Sequence, residues 1–187
     1  MGKIGSAVSF NGREGYVNVP AAIPASGQAG TISFWFSVPI ELSGITSLHP
    51  NAIEGLTKED GEGGHVVVGF NQSSIYSGSY NLEFGIHNGQ GWSYVKTSTE
   101  RWATNTWYHA AVSWGASGMK MYINGLLEAS SPDPRTPASF GSNFRVGQNS
   151  AFKANGQGGS WYGSIDDVRV YSRAISDSEV KEIYNGR

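Results

Sequence analysis

The residues in this chain best placed for chemistry are two adjacent carboxylates, Asp166 and Asp167, in the run WYGSIDDVRVYSRAISDSEVKEIY from Trp161 to Tyr184. Asp166 has the parity of Val168 and Val170, so an unbroken strand would turn its carboxylate toward the core. A carboxylate in that position needs hydrogen bonds, an arginine partner or a metal ion. Capping of nearby backbone N–H groups at a sheet end and metal ligation are the two readings open to it. Ile165 is out of phase with the two valines, which predicts a bulge that re-aims Asp166 or Asp167.

Other chemistry is thinly represented. A retaining glycosidase needs two carboxylates about 5 Å apart across a cleft, and acidic residues at alternate strand positions are absent. Glu59, Asp60 and Glu62 form an acidic patch in a Gly-rich stretch and read as solvated charge. His49, His65, His87 and His109 have no metal-ligand spacing, and there is no G-x-S-x-G element and no Gly-rich phosphate loop. Cysteine is missing altogether, which removes disulfides, thiolate metal sites and thiol catalysis together. The expectation is a protein that is not an enzyme.

Binding is better supplied. Sugar rings present C–H faces that stack on Trp and Tyr, while Asn, Gln, Asp and His give directional hydrogen bonds. The candidate rings are Trp92 and Tyr94, in a hairpin after Gly91, and Trp161 at the end of a long Gly/Asn-rich loop. Asn149, Lys153 and Asn155 in that loop, with Asn81, Glu83 and His87 on the preceding strand, are the candidate polar contacts. Trp35, Trp107 and Trp114 are assigned to packing.

These side chains must be positioned by strands. With 187 residues, 26 glycines, 12% aromatic and 15% charged residues, the chain reads as one all-β domain over 1–187. A formal charge of −2 without a Lys/Arg cluster argues against nucleic acid. No apolar run reaches membrane-spanning length. Alternating segments between turn signals give roughly a dozen strands. Thr31–Val38 is the most concentrated, Asn11-Gly12 and Asn124-Gly125 mark turns, and Ser43–His65 reads as a long polar loop. One short helix closes the chain: Ser176 as N-cap, Glu179 completing a capping box, and Ile175 with Val180 as a hydrophobic staple. The pattern predicts a two-sheet antiparallel β-sandwich with one C-terminal helix.

Six segments in order, GSAVSFNGREGYVNVP, TISFWFSV, TWYHAAVSW, GMKMYINGLLEAS, FRVGQN and WYGSIDDVRVYSRAISDSEVKEIY, resemble the LamG-like, concanavalin A-like jelly-roll superfamily in its bacterial form. The resemblance covers nearly the whole chain. It implies two packed antiparallel sheets, one of them concave. It also implies a non-catalytic module that binds a polysaccharide as part of a larger secreted or surface protein. Such a module is expected to be a monomer when isolated, without membrane insertion. The alternative is an architectural or protein-interaction domain with no sugar site. The family commonly carries one structural Ca²⁺ between the N-terminal F-D/N-G turn and the aspartate of the last strand. The matching positions are Asn11, where the family often has Asp, and Asp166 or Asp167. The start at Met1-Gly2-Lys3, almost directly into strand-like sequence, gives the expectation of a domain cut from a longer chain.

Overall fold

A computed structural model describes residues 2–12, 15–20, 28–39, 51–56 (backbone only), 64–70, 80–137, 143–148 and 159–186. Twelve strands and one helix make up the regular structure of these residues. The strands are β1 (Val8–Asn11), β2 (Val17–Pro20), β3 (Gly30–Ser37), β4 (Asn51–Leu56), β5 (Gly64–Phe70) and β6 (Leu82–Asn88). They continue as β7 (Trp92–Lys96), β8 (Tyr108–Gly115), β9 (Gly118–Ile123), β10 (Leu126–Ser131), β11 (Asn143–Val146) and β12 (Tyr162–Tyr171), before α1 (Asp177–Tyr184). The first sheet runs β1-β12-β3-β8-β9-β10 and the second β2-β11-β4-β5-β6-β7. All pairings are antiparallel, as the sandwich reading expects.

Alternation along the strands builds the core between the sheets. The first sheet contributes Ile32, Phe34 and Phe36 of β3, Val112 and Trp114 of β8, and Met119 and Met121 of β9. The second meets them with Val66 and Val68 of β5 and Leu82, Phe84 and Ile86 of β6. Each such side chain stabilises the fold by roughly 1.5–3 kcal/mol relative to exposure. Residues of opposite parity on the first sheet are also buried. Ala111 and Tyr122 lie under Ile175, Val180 and Ile183, forming a second, separate cluster beneath α1.

Local chemistry fixes the register. Asn124 and Gly125 both have positive φ (51° and 78°), the backbone a two-residue hairpin turn demands, and they join β9 to β10. In β12 the pairing with β3 passes from Asp166↔Trp35 to Arg169↔Ser33, three steps against two, and Asp167 takes φ 47°. That extra residue is the expected bulge. It brings Val168 and Val170 onto the core face already occupied by Ile165. The helix start is also as expected: Ser176 Oγ accepts from Glu179 N, and Glu179 Oε2 accepts from Ser176 N at 2.8 Å.

One expectation of the strand pattern requires correction. The segment 43–65 is not one long loop, because it contains β4, paired to β11 on one side and β5 on the other. Asn51, Glu54 and Gly55 are weak strand formers, and the pairing on both sides overrides that preference. The acidic patch at Glu59, Asp60 and Glu62 lies outside the described residues.

Candidate functional site

Two exposed aromatic residues, Trp92 and Tyr94, meet on the outer face of the second sheet, at the β6–β7 hairpin. Its turn is fixed by Asn88, whose Oδ1 accepts from Gln90 N at 3.0 Å and Gly91 N at 3.2 Å, with Gly89 at φ 86°. The turn sets the register His87↔Trp92, Gly85↔Tyr94 and Glu83↔Lys96. Because Phe84, Ile86 and Val95 face the core, these six alternate positions face away from it.

Gly85 determines how Tyr94 lies. A Cβ at Gly85 would fall 2.6 Å from the Tyr94 ring, so the ring covers the bare backbone directly opposite it. Trp92 stacks on Tyr94 with centroids 5.2 Å apart and planes 10° from parallel. The two rings are 39% and 46% exposed, the most accessible aromatic pair on the described strands. His87, half-buried, and His65, buried on β5, pack against Trp92 at 5.1 and 5.5 Å. Burial, then the charge of Glu83, pushes the Tyr94 phenol up to about 12. It therefore keeps its proton, and with it the capacity to donate a hydrogen bond, throughout the physiological range.

Of the residues singled out in the sequence, the structure brings together Trp92, Tyr94, Glu83 and His87. Two others are elsewhere. Asn81 is buried, with its Nδ2 donating to Thr97 O at 2.6 Å, so it braces the start of β6 instead of facing outward. Trp161 is fully buried between the sheets, stacked on Phe70 at 5.1 Å and edge-on to Phe36 at 5.8 Å, so it is core and not platform. Asn149, Lys153 and Asn155 lie outside the described residues. Three contributors were not singled out for this face, His65, Gly85 and Lys96. The alternation of β5, with Val66, Val68 and Phe70 inward, is the signal that places His65 outward.

The expected calcium ligands do not converge. Asn11 pairs with Tyr162, four residues along β12 from Asp166, which is about 13 Å at the rise of a strand. Asp166 is occupied by backbone: Oδ2 accepts from Ile4 N and Oδ1 from Asp167 N, both at 2.8 Å. Asp167 forms an ion pair with Arg169 at 2.9 Å. Among the described residues no group of three or more His, Cys, Asp or Glu could hold a metal ion. The residues named for calcium therefore do not fit one site. Asp166 instead ties the N-terminal segment to the bulge, the capping role that was its other reading.

A family model described as the concanavalin A-like lectin/glucanases superfamily matches residues 11–181. No curated protein sequence matches the chain. Among solved structures, domain 4 of an extracellular arabinanase from Geobacillus stearothermophilus, in complex with arabinotriose, superposes with a TM-score of 0.66 at 23% identity. The match covers 98% of this chain and 78% of that one. The binding domain of Paraclostridial Mosquitocidal Protein 1 superposes with a TM-score of 0.72 at 16% identity, over 99% of this chain and 44% of that one. A native SAP-like pentraxin from Limulus polyphemus gives 0.64 at 17% identity, over 94% and 80%. At these identities the likeness is one of fold.

Proposed function

The chain belongs to the concanavalin A-like lectin/glucanases superfamily, and from that premise we propose that it is a non-catalytic carbohydrate-binding module of a larger exported protein. The observation that carries this reading is the exposed Trp92/Tyr94 stack on the outer face of the second sheet. Its rings offer π-faces to the C–H faces of a polysaccharide, and Tyr94 Oη, Glu83, His87 and Lys96 flank them with polar groups for sugar hydroxyls. The arabinanase domain solved with arabinotriose shows that this fold can hold an oligosaccharide. Among the described residues no helix is long and apolar enough to cross a membrane. The isolated module acts as a monomer in this reading.

The test is a glycan array of plant, algal and host polysaccharides, followed by titration of the best ligand into Trp92→Ala and Tyr94→Ala. Binding to one polysaccharide class is expected. Each variant should weaken it about tenfold, the equivalent of losing one ring contact of about 1.4 kcal/mol. Silence across the array, or unchanged affinity in both variants, overturns the reading. A second reading, a protein-interaction domain, rests on Leu126 and Leu127, exposed beside the tip of the β9–β10 hairpin.

A further inference from the structure

The outer face of the first sheet holds a histidine that the binding reading does not use. His109 of β8 is 1% exposed, and neither of its ring nitrogens has a hydrogen-bond partner. It lies directly across from Trp35 of β3, the rings 5.2 Å apart. Tyr184, the last residue of α1, stacks on Trp35 at 5.6 Å and sits 6.1 Å from His109. Two more buried polar atoms of β3, Trp35 Nε1 and Ser33 Oγ, are also without partners.

The charged groups around this ring are engaged elsewhere. Asp166 of β12 is held by Ile4 N and Asp167 N, and Asp167 by Arg169. Lys3 of the N-terminal segment lies over Trp35, 4.5 Å from its ring centroid. The β9–β10 turn supplies Asn124, whose Oδ1 accepts from the backbone N of His109 and not from its ring. From α1 comes the Tyr184 phenol. An imidazolium at this position would be a buried cation with no hydrogen-bond partner, and the one carboxylate acting on it, Asp167, is already paired with Arg169.

The apolar contacts of α1 form a cluster of their own, separate from the core between the sheets. Its first turn is anchored independently, by Asp177 to Lys120 at 2.9 Å and to the Tyr122 hydroxyl at 2.7 Å. The last turn can therefore leave without opening the sandwich. We propose that His109 is an acid-sensitive latch: its protonation releases the last turn of α1, with Tyr184, and uncovers the Trp35 ring while both sheets stay folded.

The sign follows from burial. Desolvation draws the His109 imidazole down to about 4 in the closed state; Asp167 opposes that shift and Arg169 adds to it. In the open state the ring returns toward its ordinary value of about 6.5. Closure is thus fully favoured above about 6.5 and is lost progressively as pH falls toward about 4. Asp177, held low chiefly by its hydrogen bond from Tyr122, and Glu179, held down to about 2 chiefly by Arg173, stay ionised through that window. The first turn and its cap therefore persist while the last turn opens.

The experiment is amide hydrogen exchange by NMR on the whole chain between pH 7.5 and pH 4, corrected for intrinsic exchange. The amides of Ile183 and Asn185 should lose protection by roughly a hundredfold over that range, while Phe34 and Val112 keep theirs. His109→Phe, which keeps a ring but cannot ionise, should abolish the acid response, and His109→Gln should do the same if Phe perturbs folding. Three results would overturn the latch: no response in the parent protein by pH 4, the same response in the variants, or simultaneous loss of protection in helix and core.

Discussion

Trp35 and Trp92 each face a histidine directly across an antiparallel strand pair, His109 at 5.2 Å and His87 at 5.1 Å. Their surroundings differ. Trp35 sits in the middle of the first sheet, roofed by Tyr184 and Lys3, and is 4% exposed. Trp92 sits on β7, the edge strand of the second sheet, and is 39% exposed. A Trp–His pair of one geometry is thus packing material on one face and an exposed aromatic surface on the other. The deciding elements are α1, which covers only the first sheet, and Gly85, which leaves room for Tyr94 to lie beside Trp92.

The strongest way to break this comparison is to make the same change on both faces. Trp35→Ala should cost about 3–5 kcal/mol of folding stability, the range for a buried aromatic, whereas Trp92→Ala should cost about 0.5 kcal/mol. Denaturant unfolding measures both, and equal losses would mean that the two faces are covered alike. A smaller effect sharpens the role of the helix. Ser176→Ala removes the N-cap and should cost about 1 kcal/mol, read as a lower melting temperature with glycan affinity unchanged. If affinity fell with stability, the helix and the binding face would be coupled. The smallest effect expected is none: dialysis against a chelator should leave the melting temperature where it was, because both Asp166 oxygens accept from backbone N–H groups. A clear drop would restore a cation to that end of the sheet.

Much of this was legible from local sequence. Alternation located most of the strands, and the phase break between Ile165 and Val168 foretold the bulge. The Ser176/Glu179 spacing foretold the capped helix. These signals are local because strand parity and capping depend only on near neighbours. Long-range contacts were hidden. Trp161 follows a Gly-rich stretch and reads as exposed, yet Phe70, ninety-one residues earlier, supplies the ring it stacks on. Asn81 has the parity of an outward residue, but it lies just ahead of β6, and Thr97 turns it inward. For β4, weak strand formers are carried by pairing on both sides, to the next strand β5 and to the distant β11. On the candidate site, Trp92, Tyr94, Glu83 and His87 were found because one hairpin positions them all. His65 and Gly85 needed the register between strands to reveal their part.

Trp35 has one more consequence. Lys3 and Tyr184 both pack on the Trp35 indole, and β1 and β12 are antiparallel neighbours, so the two ends of the described chain lie close together. A domain with adjacent ends need not hang in series with its neighbours. It can be spliced into a surface loop of a host protein, or circularly permuted with a short joint and reopened at a hairpin tip, without stretching either sheet.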